Sequence, residues 1–164
     1  MDAVTQVEFR IEQADSPVAR MLIERLDKEL LGNYPPVHMH GITSAGFEAT
    51  GGVFVVGYVN GQPVVCGAIR PYQDAAEIKR MFVTPEYRGQ KLGHAMLSFL
   101  EQEATRRGFT RAVLETGTKQ TEAIALYASA GWTRIPAFGE YVGSPVSVCF
   151  EKRLGKSNPA TITG

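Results

Sequence analysis

The chain lacks a surplus of charge of either sign: 17 Lys and Arg stand against 17 Asp and Glu. That excludes bulk attraction to nucleic acid or to an anionic membrane, so any charge complementarity must be local. Cysteine is scarce. Cys66 and Cys149 both sit in apolar, strand-like runs and read as buried free thiols, not as a disulfide framework or a metal site. Histidine is scarcer than a metal centre needs: His38 and His40 fall together, but no third and fourth ligand of matching spacing joins them. No apolar run is long enough to span a bilayer, no leader is evident and no repeat occurs. These absences point to a cytoplasmic protein with no nucleic-acid, membrane or metal partner. What remains is ordinary globular composition, 44% hydrophobic and 21% charged over 164 residues. That is enough for one cored domain over 1–154, with a polar, disordered tail over 155–164.

The pattern alternates between strand and helix periods. Val7, Phe9 and Ile11 alternate with polar residues as a first strand. Ser16-Pro17 starts a helix, with serine as N-cap and proline at the first helical position. Val18, Met21, Leu22, Leu26 and Leu30 form its apolar stripe, and Gly32-Asn33 with Pro35-Pro36 ends it. The segment from Tyr34 to Gly52 reads as a substrate-facing loop holding His38, His40 and Phe47. Asn60-Gly61 between two β-branched runs is a hairpin signal, and Gly67 marks a candidate bulge. A strand over Ala76–Val83, a loop, a helix through Arg107 and a strand over Arg111–Glu115 make a βαβ unit, which favours two parallel strands. A helix over Thr118–Ala130, capped by Gly131, and strands from Trp132 and Val146 complete the chain.

The most informative stretch is Ala76–Gly93, AEIKRMFVTPEYRGQKLG. Pro85 ends a strand, and Arg88-Gly89-Gln90-Lys91-Leu92-Gly93 leads into a helix N-terminus. There, unclaimed N–H groups and the helix dipole favour an anion. Arg88 and Lys91 add positive charge. The stretch therefore reads as a pyrophosphate cradle.

This loop resembles the acyl-CoA loop of the GNAT superfamily of N-acetyltransferases. That motif runs Arg or Gln, two residues, Gly, one residue, Gly or Ala. Arg88 and Gly93 fit its ends, while Lys91 stands at its first glycine position, where the cradle is expected to need a negative φ. Ala123-Ile124-Ala125-Leu126-Tyr127 followed by Ala130-Gly131-Trp132 is similar to a second family segment, a tyrosine-bearing helix ending at Gly-aromatic. Gln120 stands where the family often has asparagine. The resemblance implies an α/β (α+β) fold: a mixed, mostly antiparallel sheet flanked by helices, with a parallel, splayed pair at the acyl-CoA site.

It also implies an acyl-CoA-dependent enzyme with acetyl-CoA as co-substrate and no metal. Acetyl transfer to an amine, whose ordinary pKa is about 10, must remove a proton, stabilise an oxyanion and protonate the departing thiolate. The resemblance assigns the acid to Tyr127 and the base to Glu77, which would share a strand face with Lys79 and Met81. His38, His40 and Glu115 are other base candidates, and the other reading of Glu77 is a structural partner for Arg80 or Lys79. Met81, Phe82 and Val83 would hold pantetheine and the oxyanion. Arg88, Gly89, Gln90, Lys91, Leu92, Gly93 and His94 would hold pyrophosphate, and Gln120 and Tyr127 would line the thioester. The expected acceptor is a small-molecule primary amine, met in a ternary complex, with the loop Phe138–Gly143 closing over it. Protein Nα- or lysine acetylation and a non-catalytic acyl-CoA sensor are the alternatives. The fold allows a homodimer.

Overall fold

A computed structural model describes residues 6–35 and 51–155. Its strands are β1 (Glu8–Glu12), β2 (Val53–Val59), β3 (Gln62–Tyr72), β4 (Ala75–Val83), β5 (Arg111–Gly117), β6 (Thr133–Ile135) and β7 (Ser147–Arg153). They form one sheet in the order β1-β2-β3-β4-β5-β7-β6. Every pairing is antiparallel except β4 with β5, which the βαβ reading anticipates. The helices are α1 (Pro17–Leu31), α2 (Leu92–Arg106) and α3 (Thr121–Ser129).

Local chemistry explains these boundaries. Ser16 caps α1 by accepting a hydrogen bond from Ala19 N at 3.1 Å, and Pro17 occupies the first turn. Asn60 and Gly61 both have positive φ, 51° and 79°, which a two-residue hairpin turn of this hand requires. Gly131, at φ 89°, closes α3.

The sheet separates two cores. Val53, Val55 and Val59 pack on the face carrying α2 and α3, while Phe54, Val56 and Tyr58 pack under α1. Both faces of β2 are therefore covered, which is why VFVVGYV reads as an unbroken apolar run. Cys66 and Cys149 are buried and free.

Two irregularities shape the centre of the sheet. The register of β3 against β4 slips between Cys66 and Ala68, so Arg80 and Met81 lie opposite Gly67 alone. This is the bulge that Gly67 signals. A Cβ on Gly67 would lie 2.6 Å from Leu100 Cδ1 and 3.0 Å from Met81 Sδ, so glycine lets α2 press onto the sheet. Arg80 absorbs the extra residue at φ 60°, a left-handed conformation for a non-glycine. The bulge breaks the expected face-sharing of Glu77 with Met81. Ile78, Met81 and Val83 pack on the α2 face, whereas Phe82 packs under α1.

The second irregularity is the splay. β4 pairs with β5 only from Ala76 to Ile78, against Ala112 to Leu114. Beyond that point β5 continues pairing with β7 while β4 diverges, and a cleft opens between two parallel strands.

Candidate active site

The cleft holds two cavities. The larger, about 510 Å³, lies between β4, the loop before α2, and α3. Its lining includes Met81, Phe82, Val83, Arg88, Gly89, Lys91, Leu92, Gly93, His94, Gln120 and Tyr127. Eleven of the twelve residues expected to bind the co-substrate are thus brought together. Gln90, the exception, is exposed and outside the lining.

The loop's geometry accounts for its motif. The first intrahelical bond of α2 runs from Ala95 N to Lys91 O at 3.1 Å. The N–H groups of Leu92, Gly93 and His94 therefore have no intrahelical acceptor. Gly89 has φ 86°, and Lys91 has φ 63° and ψ 25°, squarely left-handed. The expectation of a negative φ at Lys91 is thus overturned. Lysine adopts the conformation a glycine would take, at a cost of about 1–2 kcal/mol, so the backbone path survives the substitution. The Arg88 side chain does not point freely into the cavity. Its Nη2 pairs with Glu29 Oε1 of α1 at 2.9 Å, and its Nε donates to Val83 O at 2.9 Å.

The smaller cavity, about 360 Å³, lies on the other side of Tyr127. Leu26, Met81, Gln120, Ala123 and Tyr127 line both. Lys79, Arg80, Glu115, Tyr34, Tyr141, Leu30 and Val146 line only the smaller. Tyr127 is 4% exposed and packs against Trp132 and Phe150. Burial, aided by the Glu115 charge, pushes its hydroxyl well above the usual phenol range, so it stays protonated.

Glu77 lies behind the wall of this cavity, 1% exposed. Its Oε1 accepts from Arg70 Nη2 at 2.7 Å, and its Oε2 accepts from Tyr141 Oη at 2.7 Å. Tyr141 Oη in turn accepts from Lys79 Nζ at 2.8 Å. Burial and the Glu77 charge raise the Tyr141 pKa, keeping that hydroxyl a donor. The ion-pair partner expected for Glu77 was Arg80 or Lys79. Lys79 is a partner, at 3.7 Å, but the closer one is Arg70, the register neighbour of Glu77 on β3, at 2.7 Å. Arg80, turned by the bulge, pairs with Asp27 of α1 at 2.8 Å. Counting back from the β3–β4 turn would have found Arg70. Nothing local signals Tyr141, which arrives from the loop Phe138–Gly143 some 64 residues on.

Glu115 lines the cavity directly and accepts from Ser147 Oγ at 2.8 Å. Burial first, and the Glu115 charge after it, raise the pKa values of Tyr34, Tyr127 and Tyr141. Tyr34, flagged in the sequence as substrate-facing, is buried and its Oη accepts from Lys119 N at 2.8 Å. This docks the end of α1 across the splay, and Gly117 leaves the room, since a Cβ there would collide with the tyrosine hydroxyl. His38, His40 and Phe47 lie outside the described residues.

Two cavities thus open from the strand splay and share one buried, protonated tyrosine. A family model for the acetyltransferase (GNAT) family matches residues 19–132. The chain is 37% identical over 135 residues to the IAA acetyltransferase of Azospirillum brasilense, covering 81% of this chain and 88% of that protein. A Klebsiella pneumoniae crystal structure assigned as an acyl-CoA N-acyltransferase superposes with a TM-score of 0.78 at 29% identity, over 92% of this chain and 99% of that one. A GNAT acetyltransferase from Elizabethkingia anophelis with acetyl-CoA bound shares the fold, at a TM-score of 0.67 and 16% identity over 90% and 98% of the two chains. The chain belongs to the GNAT acetyltransferase family and is an acyl-CoA-dependent N-acetyltransferase.

Proposed function

We propose that the protein transfers the acetyl group of acetyl-CoA to the primary amine of a small molecule, both substrates being bound at once. The observation that carries this reading is the meeting of the two cavities at Tyr127. The larger cavity fits the co-substrate: it offers the β5-side edge of β4 at Phe82 and Val83, left open by the splay, to pantetheine, and the helix-start amides at Leu92–His94 to pyrophosphate. The smaller cavity is the acceptor site, and its volume lies at the low end of small-molecule pockets. No helix among the described residues is long and apolar enough to cross a membrane, and the cytoplasm supplies acetyl-CoA and amines alike.

In the transfer, the amine nitrogen bonds the acetyl carbon as its bond to sulfur breaks. The ammonium first gives one proton to a carboxylate; the departing thiolate takes one from Tyr127, and the second proton shed by the nitrogen as it becomes an amide restores the tyrosine hydroxyl, so CoA leaves as the thiol. Both Glu77 oxygens are already engaged, one by Arg70 and one by Tyr141. Glu115 faces the cavity itself. We therefore assign proton removal to Glu115 and treat Glu77 as the positioning residue that orients Tyr141 and Lys79.

The melting temperature with and without acetyl-CoA, using ATP as phosphate control, tests the donor site. At 100 times its dissociation constant a ligand adds about 2.7 kcal/mol. Free thiol released on adding small amines or peptides then tests the acceptor. Acetyl-CoA stabilisation with thiol release on small amines supports the reading. Release with peptides alone replaces the small-molecule acceptor with a protein one, and no stabilisation by acetyl-CoA overturns the donor assignment.

A further inference from the structure

We propose that the acceptor is an amino acid with an apolar side chain, its carboxylate held by Lys79 in the smaller cavity. The inference rests on the reading of that cavity as the acceptor site and names what the site selects.

The Lys79 side chain is 8% exposed, yet it lines the cavity. An ammonium carries three donors. Among the described residues, Lys79 Nζ spends one of them, on Tyr141 Oη at 2.8 Å. Glu77 Oε2, at 3.7 Å, lies beyond hydrogen-bond reach. Two donors of a buried cation therefore lack acceptors among the described residues, an arrangement that is costly unless something completes it. Burial accordingly pulls the Lys79 pKa below the usual lysine value.

The charges around it do not answer this need. Glu77 is shared with Arg70, whose two-point contact takes Oε1. Glu140 pairs with Arg70 on the exposed side, at 3.2 Å. Asp27 is taken by Arg80 at 2.8 Å. Glu115 lies on β5, across the splay, and accepts from Ser147. Glu77 and Glu140 together match the charges of Arg70 and Lys79, but neither accepts a hydrogen bond from Lys79. An incoming carboxylate on Lys79 would take those donors in charge-assisted hydrogen bonds.

The rest of the cavity fits the rest of such a molecule. Glu115 and Tyr127 stand where an amine has to be deprotonated and acetylated. Leu30, Leu31 and Val146 supply an apolar wall. A cation, a carboxylate and an apolar wall in about 360 Å³ describe a site for ammonium, carboxylate and side chain together.

The test compares matched pairs in the thiol-release assay at saturating acetyl-CoA: leucine against leucinamide, and phenylalanine against phenylalaninamide. The free acids should be preferred in kcat/KM by about tenfold or more, the worth of a charge-assisted hydrogen bond. Lys79→Gln should erase that preference by raising KM for the acid at least tenfold more than KM for the matched amide, while Lys79→Arg retains it. A merely structural Lys79 would alter melting temperature without moving the acid-to-amide ratio. Equal use of acid and amide by the unaltered enzyme overturns the proposal without any variant, as does an unchanged ratio in Lys79→Gln. If no amine releases thiol, N-acetylleucine and N-acetylleucinamide are titrated into the protein with CoA. Tighter binding of the acid that Lys79→Gln abolishes upholds the carboxylate site while the amine-transfer reading fails; equal binding overturns both.

Discussion

The two cavities are built in opposite ways. The larger takes half of its lining from one continuous stretch, Met81–His94, which ends in the free amides of a helix start. The smaller is assembled from side chains on α1, β4, β5 and the loop before β7, with Lys79 and Tyr141 62 residues apart. A backbone site tolerates side-chain change: lysine stands in a glycine position and the loop keeps its left-handed turn. A side-chain site has no such tolerance, because every member of the Arg70–Glu77–Tyr141–Lys79 chain is held by another. One fold can thus keep its donor site while its acceptor site is rebuilt residue by residue.

The largest effect that sharpens this contrast is expected at Glu77. Glu77→Gln leaves Arg70 and Lys79 buried without their shared carboxylate. Breaking a buried pair this way costs about 3–5 kcal/mol. The melting temperature should fall by roughly 6–20 °C in a domain of this size. The acetyl-CoA-induced shift should persist, since the larger cavity does not use Glu77. Loss of that shift would mean the two sites are not separate.

Next comes the tyrosine both cavities share. Tyr127→Phe keeps the packing against Trp132 and Phe150 but removes the acid. Turnover should fall by about 100-fold, at the lower end of what a positioned acid contributes, with the acetyl-CoA melting shift kept. Because the hydroxyl's pKa is raised, its acid form persists across neutral and mildly alkaline pH. Activity of the unaltered enzyme should therefore show no alkaline loss traceable to Tyr127. A Tyr127→Phe enzyme with full turnover removes it from the acid role.

Gly93→Glu probes the larger cavity alone. A Cβ at Gly93 meets Leu126 Cδ2 at 3.4 Å and Val83 Cγ2 at 3.8 Å, ordinary contacts that folding accepts. The added carboxylate, however, stands at the helix start where phosphate would bind. Acetyl-CoA affinity should drop by about tenfold or more, the range of a charge placed against its like. Normal affinity in the folded variant would move the cradle elsewhere.

The same contrast explains what could be read from the chain. The strand, loop and helix of Ala76–Gly93 announce themselves through local rules: a proline that ends a strand, glycines in a turn, an apolar period that switches from two to 3.6. The hairpin at Asn60-Gly61 and the parallel pair were legible for the same reason. The bulge was half legible. Gly67 marked its place, but not that Arg80 would absorb the extra residue and turn toward Asp27. That turn redirected Arg80, one of the two partners expected for Glu77, and moved Met81 to the other face. Arg70 needed the β3–β4 register, and Tyr141 needed the whole sheet, because β7 carries its loop back beside β4. Pairings that arise only from tertiary closure leave no trace at helical or strand spacing.

The smallest effect tests why lysine is tolerated at position 91. Its φ of 63° places a Cβ where left-handed backbone crowds it. Lys91→Gly removes that crowding but gives the unfolded chain more freedom to lose, about 0.5–1 kcal/mol. The two terms oppose, and the strain of about 1–2 kcal/mol is the larger. The variant should therefore gain about 0.5–1 kcal/mol and melt roughly 1–4 °C higher. Acetyl-CoA affinity should change little if the backbone amides carry the phosphate contact, and fall severalfold if the Lys91 ammonium does. A melting temperature that drops instead would show that the lysine stem, exposed as it is, holds the loop against its neighbours. The donor site would then depend on side chains as the acceptor site does, and the division between them would be one of degree.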